Sequence, residues 1–224
     1  MHSNLIENYK KDLKLTKEQR AIIIGTLLGD GHLEASDKLR TYRLKIEHSI
    51  KEKEYVDWLY QKLKPWTNGL PKTRKVNSIF PNGKILESIK YGFTTYSHGK
   101  LRYYGQQFYS KDKKKVVPKI ISKLLNPLAI AIWYLDDGSW KSARHKTFII
   151  HTHAFSKQEL KNLQRALENF KIKTRLHRQN REEKTYWRIY VLSESAAEFR
   201  KLIIPIVNQM PSMEYKLGNT LPKE

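Results

Sequence analysis

The stretch "IIIGTLLGDGHL", Ile22 to Leu33, is an apolar run that stops on Gly-Asp-Gly, and "LAIAIWYLDDGSW", Leu128 to Trp140, stops the same way later in the chain. Both runs are hydrophobic nearly all round, so both read as buried helices. Each ends on an aspartate, Asp30 or Asp137, followed by a glycine suited to a left-handed C′ position. A helix C-terminus carries roughly half a negative charge, so an acid placed there is destabilised. Free backbone carbonyls beside a carboxylate are hard oxygen ligands. Two such ends in equivalent places point to a cation of the magnesium or calcium type.

Asp-Gly alone marks turns in any protein; the weight here lies in the repeat. After Asp30 come strand-like segments at 32–36 and 40–48, then a helix pattern in "KEKEYVDWLYQKLKPW" with Tyr55, Trp58, Leu59 and Leu63 on one face. "PKTRKV" and "ILESIKYGFTTY" follow as strands around a turn at 81–83, and a helix pattern covers about 98–109. After Asp137 come strands at 139–144 and 147–154. A helix then opens at Ser156, with Glu159 at the capping-box spacing. Strands at 172–179 and 185–192 follow, then a helix from Ser193 to about Ile204. Each half reads α-β-β-α-β-β-α. The expected fold class is α+β, a pseudo-symmetric tandem repeat with two antiparallel sheets around a central helix pair. The expected division is an N-terminal half 1–110, a connector 111–118 and a C-terminal half 119–224. The tail from 205, with three prolines, reads as extended.

Charge names the class of partner. The 224 residues carry 43 Lys and Arg against 22 Asp and Glu, a formal charge of +21 that opposes compaction unless an acidic partner neutralises it. No apolar run approaches the roughly 18 residues of a membrane span, and no amphipathic helix combines a basic face with an exposed apolar one, so a membrane-surface protein is the weaker class and nucleic acid the stronger. No cysteine is present, which excludes disulfides and thiolate metal sites. The basic residues sit in "KTRK" (72–75), "KDKKK" (111–115), "KSARHK" (141–146), "KIKTRLHRQNR" (171–181) and "YWRIY" (186–190), segments that also read as structure. Three strands alternate with period two: Leu44 and Ile46 against Arg43, Lys45 and Glu47; Ile172, Thr174 and Leu176 against Lys173, Arg175 and His177; Trp187, Ile189 and Val191 against Tyr186, Arg188 and Tyr190. One face packs under helices, and the other is a basic surface able to lie in a DNA groove. The DNA-binding candidates are Arg43, Lys45, Lys72, Arg74, Lys141, Arg144, Lys173, Arg175, His177 and Arg188. The same pattern also describes an ordinary solvated face.

The two apolar helices are most economically packed against each other at a pseudo-twofold axis. Gly25 and Gly29 allow close approach on one helix, and Ala129 and Ala131 offer small residues on the other. That packing brings Asp30 and Asp137 together. Paired carboxylates, metal ions and a basic groove make a phosphodiester hydrolysis site.

"IIGTLLGDG" (23–31) and "IAIWYLDDG" (130–138) resemble the two signature motifs of LAGLIDADG homing endonucleases in their monomeric, two-motif form, and "MEYKLGNTL" is similar to the corresponding tail of the intron-encoded subgroup. The resemblance covers nearly the whole chain. It implies a monomer that makes a metal-dependent double-strand break, with short 3′ overhangs, in a long asymmetric DNA target. It implies that Asp30 and Asp137 are the catalytic, metal-binding acids and that Gly29 and Asp136 donate backbone carbonyls. By adjacency to Asp137, the side chain of Asp136 is assigned no part. It implies basic residues near each acid, matched by Lys115 and Lys216, with Lys113 or Lys114 as alternatives to the first. Magnesium or manganese is the implied cofactor, with calcium binding but not supporting cleavage. The third motif position is Gly25 in one copy and Ile132 in the other, which makes asymmetric packing expected. The rival function is a non-cleaving RNA maturase or DNA-binding regulator on the same fold, with intron RNA as the partner of a maturase. His32, His151 and His153 read as DNA contacts or surface residues. The N-terminus lacks an apolar signal segment, which fits an organelle-encoded (chloroplast or mitochondrial) or prokaryotic protein.

Overall fold

The computed structural model describes residues 4–36, 39–79, 83, 85–181 and 184–218. Helix α1 (Asn4–Asp12) leads into α2 (Lys17–Leu28), which starts on a capping box: Thr16 accepts from the Gln19 amide, and the Gln19 side chain accepts from the Thr16 amide. Strands β1 (His32–Ala35) and β2 (Tyr42–Ser49) follow, then α3 (Lys53–Leu63), β3 (Lys72–Ile79), β4 (Ile85–Thr94) and α4 (Arg102–Phe108). Pro81 and Asn82 of the expected turn lie outside the described residues. The second half contains α5 (Ile121–Leu124), α6 (Pro127–Asp137), β5 (Gly138–Trp140), β6 (Phe148–His151), α7 (Lys157–Glu168), β7 (Thr174–Arg181), β8 (Lys184–Val191) and α8 (Ala196–Val207). The order α-β-β-α-β-β-α therefore recurs in both halves. The two four-stranded antiparallel sheets share one topology, β1-β2-β4-β3 and β5-β6-β8-β7.

The repeat brings α2 and α6 against each other at the centre. A Cβ added to Gly25 would lie 2.6 Å from both the Ala129 carbonyl oxygen and Ile132 Cβ, so the side chain missing from one helix is replaced by that of Ile132 on the other. The expected asymmetry at the third motif position thus has a physical form. The inner faces of both sheets close over this pair. Leu44, Ile46, Phe148, Ile150, Ile189 and Val191 are buried in one continuous core with Ile22, Leu27, Ile130 and Trp133. The Ser156–Glu159 capping box starts α7 as its spacing required.

Three expectations fail. Gly31 and Gly138 are not left-handed; among the described residues only Gly69, Gly83 and Gly218 have positive φ of the glycines. The reason for glycine is close approach instead. A Cβ at Gly31 would meet Thr26 Cβ at 2.7 Å, and one at Gly138 would meet Tyr134 Cδ2 at 2.1 Å. The strands expected at 139–144 and 147–154 shrink to β5 and β6, because the chain turns between them and closes with Lys141 N–H donating to Thr147 O at 2.8 Å. The tail is not extended. Pro205 sits in the last turn of α8, and Pro211 opens a 3₁₀ helix (Pro211–Leu217), where its missing N–H leaves no bond unmade. Met210, Met213 and Leu217 anchor this segment by burial.

Candidate active site

Asp30 stands just beyond the end of α2, and Asp137 is the last residue of α6. The helices meet closely at these tips: a Cβ on Gly29 would fall 2.4 Å from both Cβ and Oδ2 of Asp136. Asp136 therefore does more than offer a carbonyl. Its side chain is fully buried; Oδ2 accepts from the Asp30 amide at 3.0 Å, and Oδ1 accepts from the Tyr55 hydroxyl at 2.6 Å. The adjacency argument that left this side chain without a task is corrected. It points across to the opposite helix and fills the notch made by Gly29.

Each acid has a lysine beside it. Lys115 Nζ donates to the carbonyls of Gly29, at 2.6 Å, and Gly31, at 2.8 Å. Lys216, almost completely buried, donates to the Gly138 carbonyl at 2.8 Å. The two lysines thus bond equivalent carbonyls next to Asp30 and Asp137. Lys113 and Lys114 are exposed in the turn before Lys115. The Gly29 carbonyl, assigned to a metal from the sequence, is occupied by Lys115 here.

The electrostatics are those of crowded acids in a dry place. Burial first, and then Asp136 and Asp30, push the Asp137 carboxyl up to about 8, against the pull of Lys115 and Lys216. Burial pushes Asp136 up to about 6, with Asp30 adding to it and His48 and Tyr55 opposing. Burial lowers Lys115 and Lys216, although the acids hold them up. Asp30 differs from its counterpart: its side chain is 54% exposed.

His48 was not singled out from the sequence. It is 3% exposed, and its Nδ1 lies 3.3 Å from Glu52 Oε2 and 3.7 Å from Asp30 Oδ2, while Nε2 lies 3.7 Å from Asp136 Oδ1. Burial disfavours its charged form, but Glu52, Asp136 and Asp30 together outweigh that and raise its pKa. The signal was present: Tyr42, Leu44 and Ile46 face inward on β2, so His48 falls at the next inward position.

The residues present suit a divalent cation by the chemistry of the donor set. They offer carboxylate oxygens and backbone carbonyls, with buried acids whose charge is only partly balanced by two lysines. Among the described residues no three His, Asp or Glu side chains form a closed cage. A hard cation that keeps several waters and takes phosphate oxygens does not need one.

The outer faces of the sheets carry the remaining candidates. On the first, Lys45, Lys72 and Arg74 share a face with Arg43 by register. Arg43 pairs with Glu34, Arg74 pairs with Glu47 at 2.6 Å and Lys45 approaches the same Glu47 at 3.6 Å, so three of the four are already held by carboxylates. On the second, Arg175, His177 and Arg188 share a face, with the His177 ring stacked on Tyr190 at 3.8 Å and Lys141 over the same tyrosine. Arg144 lies in the turn after β5, and Lys173, on the same side as Arg175 by alternation, pairs with Glu194 at 3.1 Å. His151 bonds Ser139 at 3.0 Å and His32 meets the Tyr109 hydroxyl at 3.2 Å; burial lowers the pKa of both, and neither touches the acids.

Comparison with known proteins agrees with this geometry. The model of the LAGLIDADG DNA endonuclease family matches residues 20–199. The chain is 33% identical to the cytochrome b mRNA maturase bI2 of Saccharomyces cerevisiae over 232 residues, covering 97% of this chain and 52% of that protein, so it spans about half that relative's length. It is 30% identical to the DNA endonuclease I-ChuI of Chlamydomonas applanata over 217 residues, covering 92% of this chain and 97% of that one. The structure of the homing endonuclease I-WcaI bound to its DNA recognition sequence shares the fold, with a TM-score of 0.80 at 24% identity over 96% of this chain and 93% of that chain.

Proposed function

This chain belongs to the LAGLIDADG DNA endonuclease family, and on that premise we propose that it is a site-specific homing endonuclease making a metal-dependent double-strand break in a long, asymmetric DNA target. The observation that carries the reading is the paired delivery of Asp30 and Asp137 at the tips of α2 and α6, each beside a lysine bonded to a neighbouring carbonyl.

The basic outer faces of the two sheets lie along the duplex and position it through phosphate and base contacts. Because the two faces differ in sequence, the two halves of the target differ as well. The chain works as a monomer, since the repeat already supplies both halves of the site. Asp30 and Asp137 would hold magnesium or manganese with the nearby carbonyls of Asp136 and of Gly29, the latter through the lone pair that Lys115 leaves free. Such ions polarise the phosphoryl oxygens and make bound water acidic when present. Lys115 and Lys216 place positive charge where negative charge develops on the phosphate, in a setting dry enough to strengthen it. Asp136 keeps the backbone of Asp30 in place. Calcium fills the same oxygen donors without supporting cleavage. The encoding gene lies within an intron of an organelle or prokaryote.

The similarity to a maturase favours one second reading, a non-cleaving RNA maturase or DNA-binding regulator on the same fold. The test is incubation with DNA of the joined exons, with magnesium or with chelator. Cleavage that is lost on Asp30→Asn or Asp137→Asn supports the nuclease. Tight binding with no cut under magnesium supports the second reading.

A further inference from the structure

The two halves of the site are not built alike. On the α7 side, the residues buried from that helix are Leu160, Leu163, Ala166 and Leu167, all apolar. On the α3 side the buried face includes Tyr55, and beside it lies His48. His48 Nε2 has no hydrogen-bond partner among the described residues although it is buried. A buried, unpaired ring nitrogen is unfavourable, and an apolar residue would fill the same volume without that penalty. Packing alone therefore does not explain a histidine there.

Its surroundings do. The Tyr215 hydroxyl donates to Glu52 Oε1 at 2.9 Å, and the other oxygen of Glu52 lies 3.3 Å from His48 Nδ1. The same Nδ1 is 3.7 Å from Asp30, and Nε2 is 3.7 Å from Asp136, which accepts from the Asp30 amide. The ring is wedged edge-on against Tyr55, with centroids 5.2 Å apart. Tyr215 immediately precedes Lys216, whose ammonium is bonded beside Asp137. A polar chain thus runs from one acid, through β2, the turn carrying Glu52 and the C-terminal 3₁₀ helix, to the lysine at the other acid. The two ends come from opposite halves of the repeat.

We propose that His48, braced by Glu52 and Tyr215, is a positioning residue that fixes Asp30 and couples it to the segment carrying Lys216. It touches no reacting atom; it acts through Asp30 and Asp136. A disturbance at His48 falls first on Asp30, which it faces directly, and reaches the Lys216 segment only through Glu52 and Tyr215.

The activity side of this inference rests on the endonuclease reading, so the test has two arms. In the first, single-turnover cleavage of a supercoiled target is followed by strand under magnesium. His48→Ala should slow the cut assigned to Asp30 by roughly 10- to 100-fold, the scale of a small misplacement, and nicked circles should accumulate. Tyr215→Phe should slow the same strand less. His48→Gln, which keeps a side-chain N–H, should recover most of the rate, and DNA affinity should stay unchanged throughout. Equal slowing of both strands, or no recovery with glutamine, overturns the proposal. The second arm needs no cleavage: the DNA-free full chain is melted as His48→Ala, Tyr215→Phe and the double variant. Coupled residues lose less Tm together than the sum of the single losses, and strict additivity overturns the strut. A wild-type protein that cuts nothing, with coupled melts, removes the nuclease reading and leaves the strut standing.

Discussion

Replacing Gly29 with alanine tests the closeness of the two helix tips. The new Cβ would lie 2.4 Å from both Cβ and Oδ2 of Asp136. Relief requires either parting the helices by about an ångström or expelling the Asp136 carboxylate from its buried position. Forced overpacking of this kind costs about 1–3 kcal/mol. Expulsion removes the bonds to the Asp30 amide and the Tyr55 hydroxyl, made at 3.0 and 2.6 Å. Hydrogen bonds to a charged group are worth about 1.5–3 kcal/mol. Either route gives a loss of order 3 kcal/mol, and in a chain of this size that lowers Tm by roughly 6–12 °C. The assay is thermal unfolding followed by circular dichroism, with single-turnover cleavage in parallel. Cleavage should fall on the order of 10²-fold, because Asp30 moves with the tip. The double variant Gly29→Ala/Asp136→Gly removes the clashing atoms and should regain part of the Tm without regaining the rate. A Gly29→Ala protein that melts within about 2 °C of the parent and cuts at the parent rate would refute the reasoning, because the tips would then not be in contact.

The raised carboxyls set a pH dependence. Asp137 at about 8 and Asp136 at about 6 both bind protons in the folded state that the unfolded chain releases near 4. The stability that these two groups contribute is thus fully present below about pH 4 and is lost as pH rises through 6 and 8. His48, also raised, contributes with the same sign. Melting the DNA-free protein from pH 5 to 8.5 should show a falling Tm, and Asp137→Asn should flatten that fall while abolishing cleavage. Lys216→Met should reduce single-turnover cleavage by roughly 10²- to 10³-fold with target affinity retained, and Lys115→Met should do the same on the other strand. Target affinity should drop on the order of 10³-fold or more between about 50 and 200 mM salt; Arg175→Ala should lower the slope of log affinity against log salt by about one if that side chain contacts a phosphate. A flat salt response measured by filter binding would count against the basic faces as the DNA surface.

Local pattern carried most of the architecture. Ile22–Leu28 and Leu128–Leu135 are apolar all round, and such segments have nowhere to go but the centre. The alternation in β2, β7 and β8 assigned their faces because a pleated strand leaves no other choice. The capping box at Ser156 was equally local, although the matching one at Thr16 went unread. What escaped was the traffic between the halves. Asp136 reaches Tyr55 and the Asp30 amide, and Tyr215 reaches Glu52, across spans that no periodicity describes. The tail misled for a different reason. Prolines were read as breakers, yet Pro205 is carried inside α8, Pro211 opens a 3₁₀ helix where its missing N–H is harmless, and the buried Met213 and Leu217 fix the segment. His48 was visible in principle, since inward alternation continues through it. Its role depends on Glu52 four residues on and on two acids, Asp30 and Asp136, brought from elsewhere in the chain.

The most direct measurement is anomalous scattering from manganese in crystals of the protein bound to its target duplex. The account requires peaks at the tips of α2 and α6, within coordination distance of Asp30 and Asp137 and of phosphate oxygens on both strands. Manganese found elsewhere, or a complex in which those two carboxylates face away from the scissile phosphates, would contradict it.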